Sequence, residues 1–342
     1  MKHKIFGVLA STMIAAILIS VQPVYASTQQ WSMIDLGTLG GSYSIAYAIN
    51  ENGQVVGESE TATGEVHAFL WEQGSMIDLG TLGGSFPFAY ALGINDKEQI
   101  VGLGIYISDS DPCLSESTGR AFIWENGTMK DLGLGCFSIA NNINNRGQII
   151  GESSPGGEGG SGHAFIWEDG TKTDLGTLGG FSSTAFGINN RGQIVGQSQT
   201  SSFLYHAFLW QKGKMTDLGT LGGFDSFAYA INANNQVVGS SATTLGPSHA
   251  FVWQNGSMTD LGTLGGSYSS ARSINDVKQI VGYSGTTSGQ LHAFMWKNGR
   301  MSDLGTLGGP FSQALDINNH GKIVGYSQTS SGENHAVLWI EK

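Results

Sequence analysis

One periodicity constrains this chain more than anything else in it. The tripeptide Asp-Leu-Gly begins at Asp35, Asp78, Asp131, Asp174, Asp217, Asp260 and Asp303, at spacings of 43, 53, 43, 43, 43 and 43. A second marker, mostly His-Ala-Phe, begins at His67, Arg120, His163, His206, His249, His292 and His335, with a spacing of 53 followed by five of 43. Two independent markers share one period and one ten-residue expansion. Periods of about 40 to 50 residues are those of propellers and solenoids, whose units bury their faces against one another.

Each unit holds four strand-like segments: in the first, a (Ala46 to Asn50), b (Gln54 to Glu58), c (His67 to Trp71) and d (Met76 to Gly80). Between a and b lie pairs such as Asn52-Gly53 and Arg191-Gly192, and between c and d pairs such as Gln73-Gly74 and Asn255-Gly256. Two-residue loops ending in Gly predict type I′ hairpins at both places. Seven units of four strands predict an all-β fold, a seven-bladed β-propeller of four-stranded antiparallel blades. Strand a carries Ala in every unit, as suits an innermost strand crowded at an axis. The chain opens on an orphan d (Met33 to Gly37) and ends on an orphan c (His335 to Trp339). That offset predicts a ring closed by pairing of the N-terminal strand with the C-terminal blade, since an open solenoid needs polar caps that do not appear.

The first 26 residues read differently. Lys2 and Lys4 precede an apolar run from Ile5 to Ile19, and Val24-Tyr25-Ala26 fits signal-peptidase cleavage. Fifteen apolar residues fall short of the ~20 of a membrane helix. The expectation is therefore a signal peptide at 1–26, a propeller at 27–342, and a secreted, extracellular or periplasmic monomer without an integral span. Without Lys2 and Lys4 the chain has 14 Lys+Arg against 27 Asp+Glu, a charge of −13. Such a surface repels phosphate backbones, which argues against nucleic acid and anionic membranes as partners. Charged residues make up 13% of the chain, about half the usual ~25%, as expected of short strands and tight turns.

Taken together, Asp-Leu-Gly-Thr-Leu-Gly-Gly, Ile-Asn-x-x-Gly-Gln-Ile-Val-Gly and His-Ala-Phe-x-Trp resemble the bacterial extracellular repeat family named for its His-Ala-Phe tripeptide. The resemblance runs from Trp31 to Trp339 and implies a secreted propeller; it implies no particular activity. The second unit departs from it, with Arg120 for His and Leu134-Gly135-Cys136 for Thr-Leu-Gly-Gly.

Most eye-catching residues read as scaffold. His67 with Asp78, eleven residues on, is half of a nucleophile-activating triad, but its recurrence in six of seven units points to a repeated hydrogen-bond bracket. One Trp per strand c, Trp71 to Trp339, reads as core between blades. The Gly of every strand b, Gly57 to Gly325, reads as space for a close neighbour.

The candidate ligand-binding residues are the aromatics assigned to the d–a loops, Tyr43, Phe86, Phe137, Phe181, Phe224, Tyr268 and Phe311. Inter-blade plugging is their alternative use. Arg272 and Asp316 break the strand-a pattern and are either a ligand anchor or an ion pair; Arg120, Asn141-Asn142 and Asp225 are lesser breaks. Cys113 and Cys136 project from one face, and in an exported protein predict a disulfide. No cofactor, metal site or catalytic set is expected. These observations lead to a non-catalytic binding module that presents its loop-rich face to a glycan or surface protein. The alternative is a polysaccharide lyase or hydrolase with its site at the channel mouth.

Overall fold

The computed structural model describes residues 31–83, 88–105, 119–154 and 161–342. The segment expected to be a signal peptide, Phe86 and Cys113 lie outside them. The described residues hold 28 strands and no helix. Strands a to d of each repeat pair antiparallel in sequence order, as in the fourth: Gly179–Ile188, Ile194–Thr200, Tyr205–Gln211 and Lys214–Asp217. The first strand, Trp31–Asp35, pairs antiparallel with the last, Asn334–Glu341, from Trp31 opposite Glu341 to Asp35 opposite Val337.

The c–d turns are built as the sequence predicts. Gln73 and Gly74 have φ of 50° and 88°, and Asn255 and Gly256 have 52° and 82°, the two left-handed residues of a type I′ turn. The a–b turns differ. In the first repeat only Gly53 is left-handed, at 82°, and the amides of Asn50 and Gly53 bond to the carbonyls of Gln54 and Asn50. The reason is the Asn that opens the turn. Asn50 Oδ1 accepts from the Gln54 amide at 2.9 Å, and its Nδ2 donates to Gln54 Oε1 at 2.7 Å, which fixes a wider loop than two residues.

Strand a is longer than the hydrophobic pattern suggests, running Gly40–Ile49 in the first repeat. It carries a bulge in every repeat, between Ala46 and Ala48 in the first and between Ala271 and Ser273 in the sixth. The strand-b Gly opposite each bulge has a specific task. A Cβ on Gly57 would lie 1.9 Å from the Ile45 carbonyl oxygen, and one on Gly239 1.8 Å from that of Phe227. No side chain fits there. The unpaired bulge residue is re-aimed out of the sheet.

Between the sheets lies a core shared by adjacent repeats. The paired apolar residues of strand b, such as Val55-Val56 and Ile194-Val195, are fully buried, as are Ala68-Phe69 and their counterparts in strand c. Leu36, Ala46, Val55 and Phe69 of the start of the chain pack in one cluster with Val324, Ala336 and Leu338 of its end. Trp339 is fully buried, packed with Trp31 and Met33; the other strand-c Trp residues are half-buried.

A relay of side-chain amides joins the repeats at the inner edge. Asn50 Nδ2 donates to the Asn95 carbonyl, Asn95 to Asn144, Asn144 to Asn189, Asn189 to Asn232, Asn232 to Asn275 and Asn275 to Asn318, at 3.0–3.2 Å. Asn318 then donates to the Asn50 carbonyl at 3.1 Å.

The contrast between the two kinds of Gly is measurable. Gly239→Ala should cost about 3 kcal/mol or more, because backbone must move. Gly256→Ala, in open space at positive φ, should cost about 1–2 kcal/mol. Thermal unfolding of the two variants gives the comparison, and equal losses would contradict the bulge–Gly argument.

Candidate functional site

The bulges turn one residue per repeat, the one following the invariant Ala, toward the centre: Tyr47, Leu92, Asn141, Phe186, Tyr229, Arg272 and Leu315. These, with Ala48, Ile94, Asn142, Ala230, Ser273 and Asp316, line a cavity of about 240 Å³ to which every repeat contributes. Arg272 and Asp316 are its only charged residues among those described.

They are not an ion pair. The Asp316 carboxylate accepts from Ser273 Oγ at 2.6 Å and from the amides of Ile49 and Ile317 at 3.0 and 2.9 Å. It thereby ties the first, sixth and seventh repeats together. Burial pushes its pKa up to about 6, against the pull of these three donors. The Arg272 guanidinium lies over the Tyr229 ring, 4.1 Å from its centroid, a stacking worth about 0.5–2 kcal/mol. Phe186 continues the aromatic wall, its ring 5.5 Å from that of Tyr229.

Behind Tyr47 sits a group the sequence reading missed. Tyr47 Oη donates to Glu58 Oε1 at 3.1 Å, while Glu58 Oε2 is buried with no partner among the described residues. Burial raises the Glu58 carboxyl to about 7, with the Tyr47 bond opposing. Burial and the nearby Glu58 raise the hydroxyls of Tyr47 and Tyr90, and push Tyr43 up to about 12. The sequence signal for these residues was available: a Gly fixed in strand b marks the bulge, and the bulge marks the side chain turned inward.

None of the six candidate aromatics among the described residues lines the cavity. Tyr43, Phe181, Phe224, Tyr268 and Phe311 lie in the first half of strand a rather than in loops. Phe137 precedes its strand a directly. Tyr43 is half-buried and the other five are exposed, Phe224 at 75%. Phe86 falls outside the described residues, and Phe88 takes its register three residues before the strand's Ala, its ring 5.1 Å from that of Tyr90. In the fourth and fifth repeats that register is held by Ser182 and Asp225 instead. Ser182 Oγ lies 3.1 Å from Tyr205 Oη, and Asp225 accepts from the Tyr205 amide.

The His–Asp pairs are brackets. His67, His163, His206, His249 and His292 Nδ1 lie 2.7–2.9 Å from the Asp eleven residues on, and His335 Nδ1 lies 2.8 Å from Asp35 at the other end of the chain. In each pair an Asp oxygen also accepts from an amide two residues on, such as Gly80. Arg120 preserves the contact, its Nη1 3.7 Å from Asp131 Oδ2. Cys136 is not a free thiol.

A second cavity of about 440 Å³ opens at the a–b turns, lined by six of the seven relay Asn residues (all but Asn318), the Ile before each relay Asn, and Glu51, Asp96 and Asp276. Its carboxylates are occupied by amides of the neighbouring repeat, such as Glu51 N on Asp96 and Ala233 N on Asp276. Among the described residues no group of three or more His, Cys, Asp or Glu is arranged to hold a metal, and no helix is long and apolar enough to cross a membrane.

The architecture is that of a β-propeller. The chain superposes on the propeller domain of the Trilobed protease from Pyrococcus furiosus with a TM-score of 0.52, at 13% identity, over 77% of this chain and 84% of that one. It matches a puromycin hydrolase at 0.58 and 13% identity, over 89% of this chain and 53% of that one. An acylaminoacyl peptidase from Pyrococcus horikoshii matches at 0.51 and 11% identity, over 90% and 52%. This chain thus spans about half the length of the latter two. No family model matches the chain, and no curated protein does.

These comparisons overturn one expectation. The non-catalytic binding module working through its loop-rich face is given up, because the fold is shared with peptidases and a hydrolase. The structure adds a physical reason: two of the charged residues that break the repeat, Arg272 and Asp316, line the central cavity, and none of the exposed candidate aromatics among the described residues does.

Glu58 makes stability depend on pH in a defined direction. Its folded pKa of about 7 exceeds the ordinary 4.5. Between those values the unfolded chain ionises and the folded one keeps its proton, so stability falls as pH rises. The loss amounts to about 3 kcal/mol by pH 8. Glu58→Gln should match the parent near pH 4.5 and exceed it progressively up to pH 8. Melting curves that stay parallel across this range would remove Glu58 as the cause.

Proposed function

We propose that this protein is a propeller hydrolase whose reaction takes place in the central cavity. The observation that carries the reading is the pair of charged groups on an otherwise neutral wall, one of them a carboxyl held near pH 6. A carboxylate with that pKa is mostly ionised at neutral pH and still basic enough to take a proton from water. Three donors occupy Asp316, and a carboxylate has about four acceptor sites, so one remains for a water. Asn141 and Asn142 each use one amide hydrogen, on the carbonyls of Ala185 and Phe186, and keep one for the oxyanion that forms on attack. The kinship of fold with peptidases and a hydrolase supports the reaction class.

The test is turnover of chromogenic esters, aminoacyl anilides and glycosides by the purified protein. Hydrolysis should rise with pH through about 6, because the base acts deprotonated. Asp316→Asn should lose about 100-fold or more in kcat while its melting transition shows a folded protein. No turnover across the panel, or turnover indifferent to Asp316→Asn in a folded variant, would reject the proposal.

The surrounding framework is proposed as a ring of seven four-stranded blades, closed where the first strand completes the last sheet. The pairing of residues 31–35 with the C-terminal strand and the return of the Asn relay to Asn50 support it. The motif resemblance supports membership of the His-Ala-Phe repeat family, and the first 26 residues support export as a signal peptide, leaving one domain at 27–342. In an oxidising compartment Cys113 and Cys136 would pair, closing a loop of 23 residues worth about 3 kcal/mol. Intact mass of the exported protein should show cleavage after Ala26 and no alkylatable thiol; two alkylated cysteines would refute the pairing.

A further inference from the structure

Arg272 is the group that the mechanism above leaves unused. Its guanidinium offers five N–H donors in a planar fork. One face is spent on Tyr229, and no described residue accepts a hydrogen bond from its edge or pairs with its charge. The carboxylate that lines the same cavity among the described residues, Asp316 on the adjacent strand a, is already held by Ser273, Ile49 and Ile317. A guanidinium on a cavity wall with a stacked face and open donors is suited to bidentate binding of a planar anion.

We propose that Arg272 is the specificity-determining residue of the central cavity, and that the substrate carries a carboxylate next to a ring. This rests on the cavity being the substrate site, as proposed above. The arc Phe186, Tyr229 and Arg272 comes from consecutive repeats, so a carboxylate held by Arg272 places the ligand's adjoining ring against the Phe186–Tyr229 wall. A volume of about 240 Å³ is below the ~300–1,000 Å³ of drug-sized pockets, which limits the ligand within it to about one ring. The charge of the ligand is limited too. Among the described residues the wall holds one cation, one carboxylate and no Lys, which favours a monoanion over a phosphate dianion. The chain's net negative charge opposes entry only weakly, since surface charges are screened beyond about 8 Å at physiological salt.

Two ring acids supply this chemistry: an aromatic acid and a sugar acid. Calorimetric titration of the full protein with benzoate and benzamide, and with glucuronate and glucuronamide, separates them while keeping shape constant within each pair. At least one acid should bind tenfold or more tightly than its amide, and the pair that discriminates identifies the ring. Arg272→Gln should abolish that preference without lowering amide binding, and Arg272→Lys should restore part of it. Equal binding of acid and amide in both pairs, or a preference that survives in Arg272→Gln, would overturn the proposal, as would no binding at all. Binding is read without turnover, so the two proposals fail separately. Carboxylate preference without hydrolysis removes only the catalytic reading, and hydrolysis without carboxylate preference removes only this one.

Discussion

The architecture hangs on one side chain used seven times. The Asn at the end of each strand a closes its own a–b turn through Oδ1 and grips the next repeat through Nδ2, so a local turn and an inter-sheet contact share one residue. Every one of these amides is buried, and a buried amide that lost its partners would cost about 1–3 kcal/mol. The seven bonds are therefore strongly selected against partial formation. They also fix the distance between adjacent inner strands, and with it the width of the cavity. The His–Asp brackets do comparable work at the outer strands, where their partial exposure makes each a weaker tie.

The bulge is the second constraint, and it connects scaffold to site. An extra residue in strand a pushes its carbonyl into the space of the strand-b Gly, and this close approach turns the following side chain inward. The scaffold thus presents seven positions to one cavity, and their identity differs from repeat to repeat. Five are apolar or aromatic; Asn141 and Arg272 are not. Variation at these positions changes the chemistry of the centre without touching the core. This is the sense in which a propeller separates stability from function.

Part of this was readable from the residues. The repeat, the four strands per unit, the I′ turns between c and d, the Gly beside a close neighbour and the bracket role of His and Asp all follow from short-range rules. The assignment of the aromatics to loops is corrected, because strand a is longer than its apolar pattern and its bulge breaks the alternation. Phe181 and Phe224 lie one residue out of step with Tyr268 and Phe311, and none of the five exposed candidate rings lines the cavity. Glu58 was missed for a different reason. An acidic residue between Gly57 and Ser59 looks solvated in sequence, and only the neighbouring repeat and Tyr47 make it a buried acid.

By itself the sequence determined the period, the strand count per period and the type I′ turns between c and d, because these depend on φ preferences and on contacts within about ten residues. It also singled out Arg272 and Asp316, as charges at positions where the other repeats are neutral. What tertiary structure decided is the relation between them. Whether two charges on adjacent repeats pair depends on the bulges, the Ser273 hydroxyl and the Ile49 amide more than 200 residues away. Those contacts satisfy Asp316, stack Arg272 on Tyr229, and leave both facing a cavity that no single repeat contains.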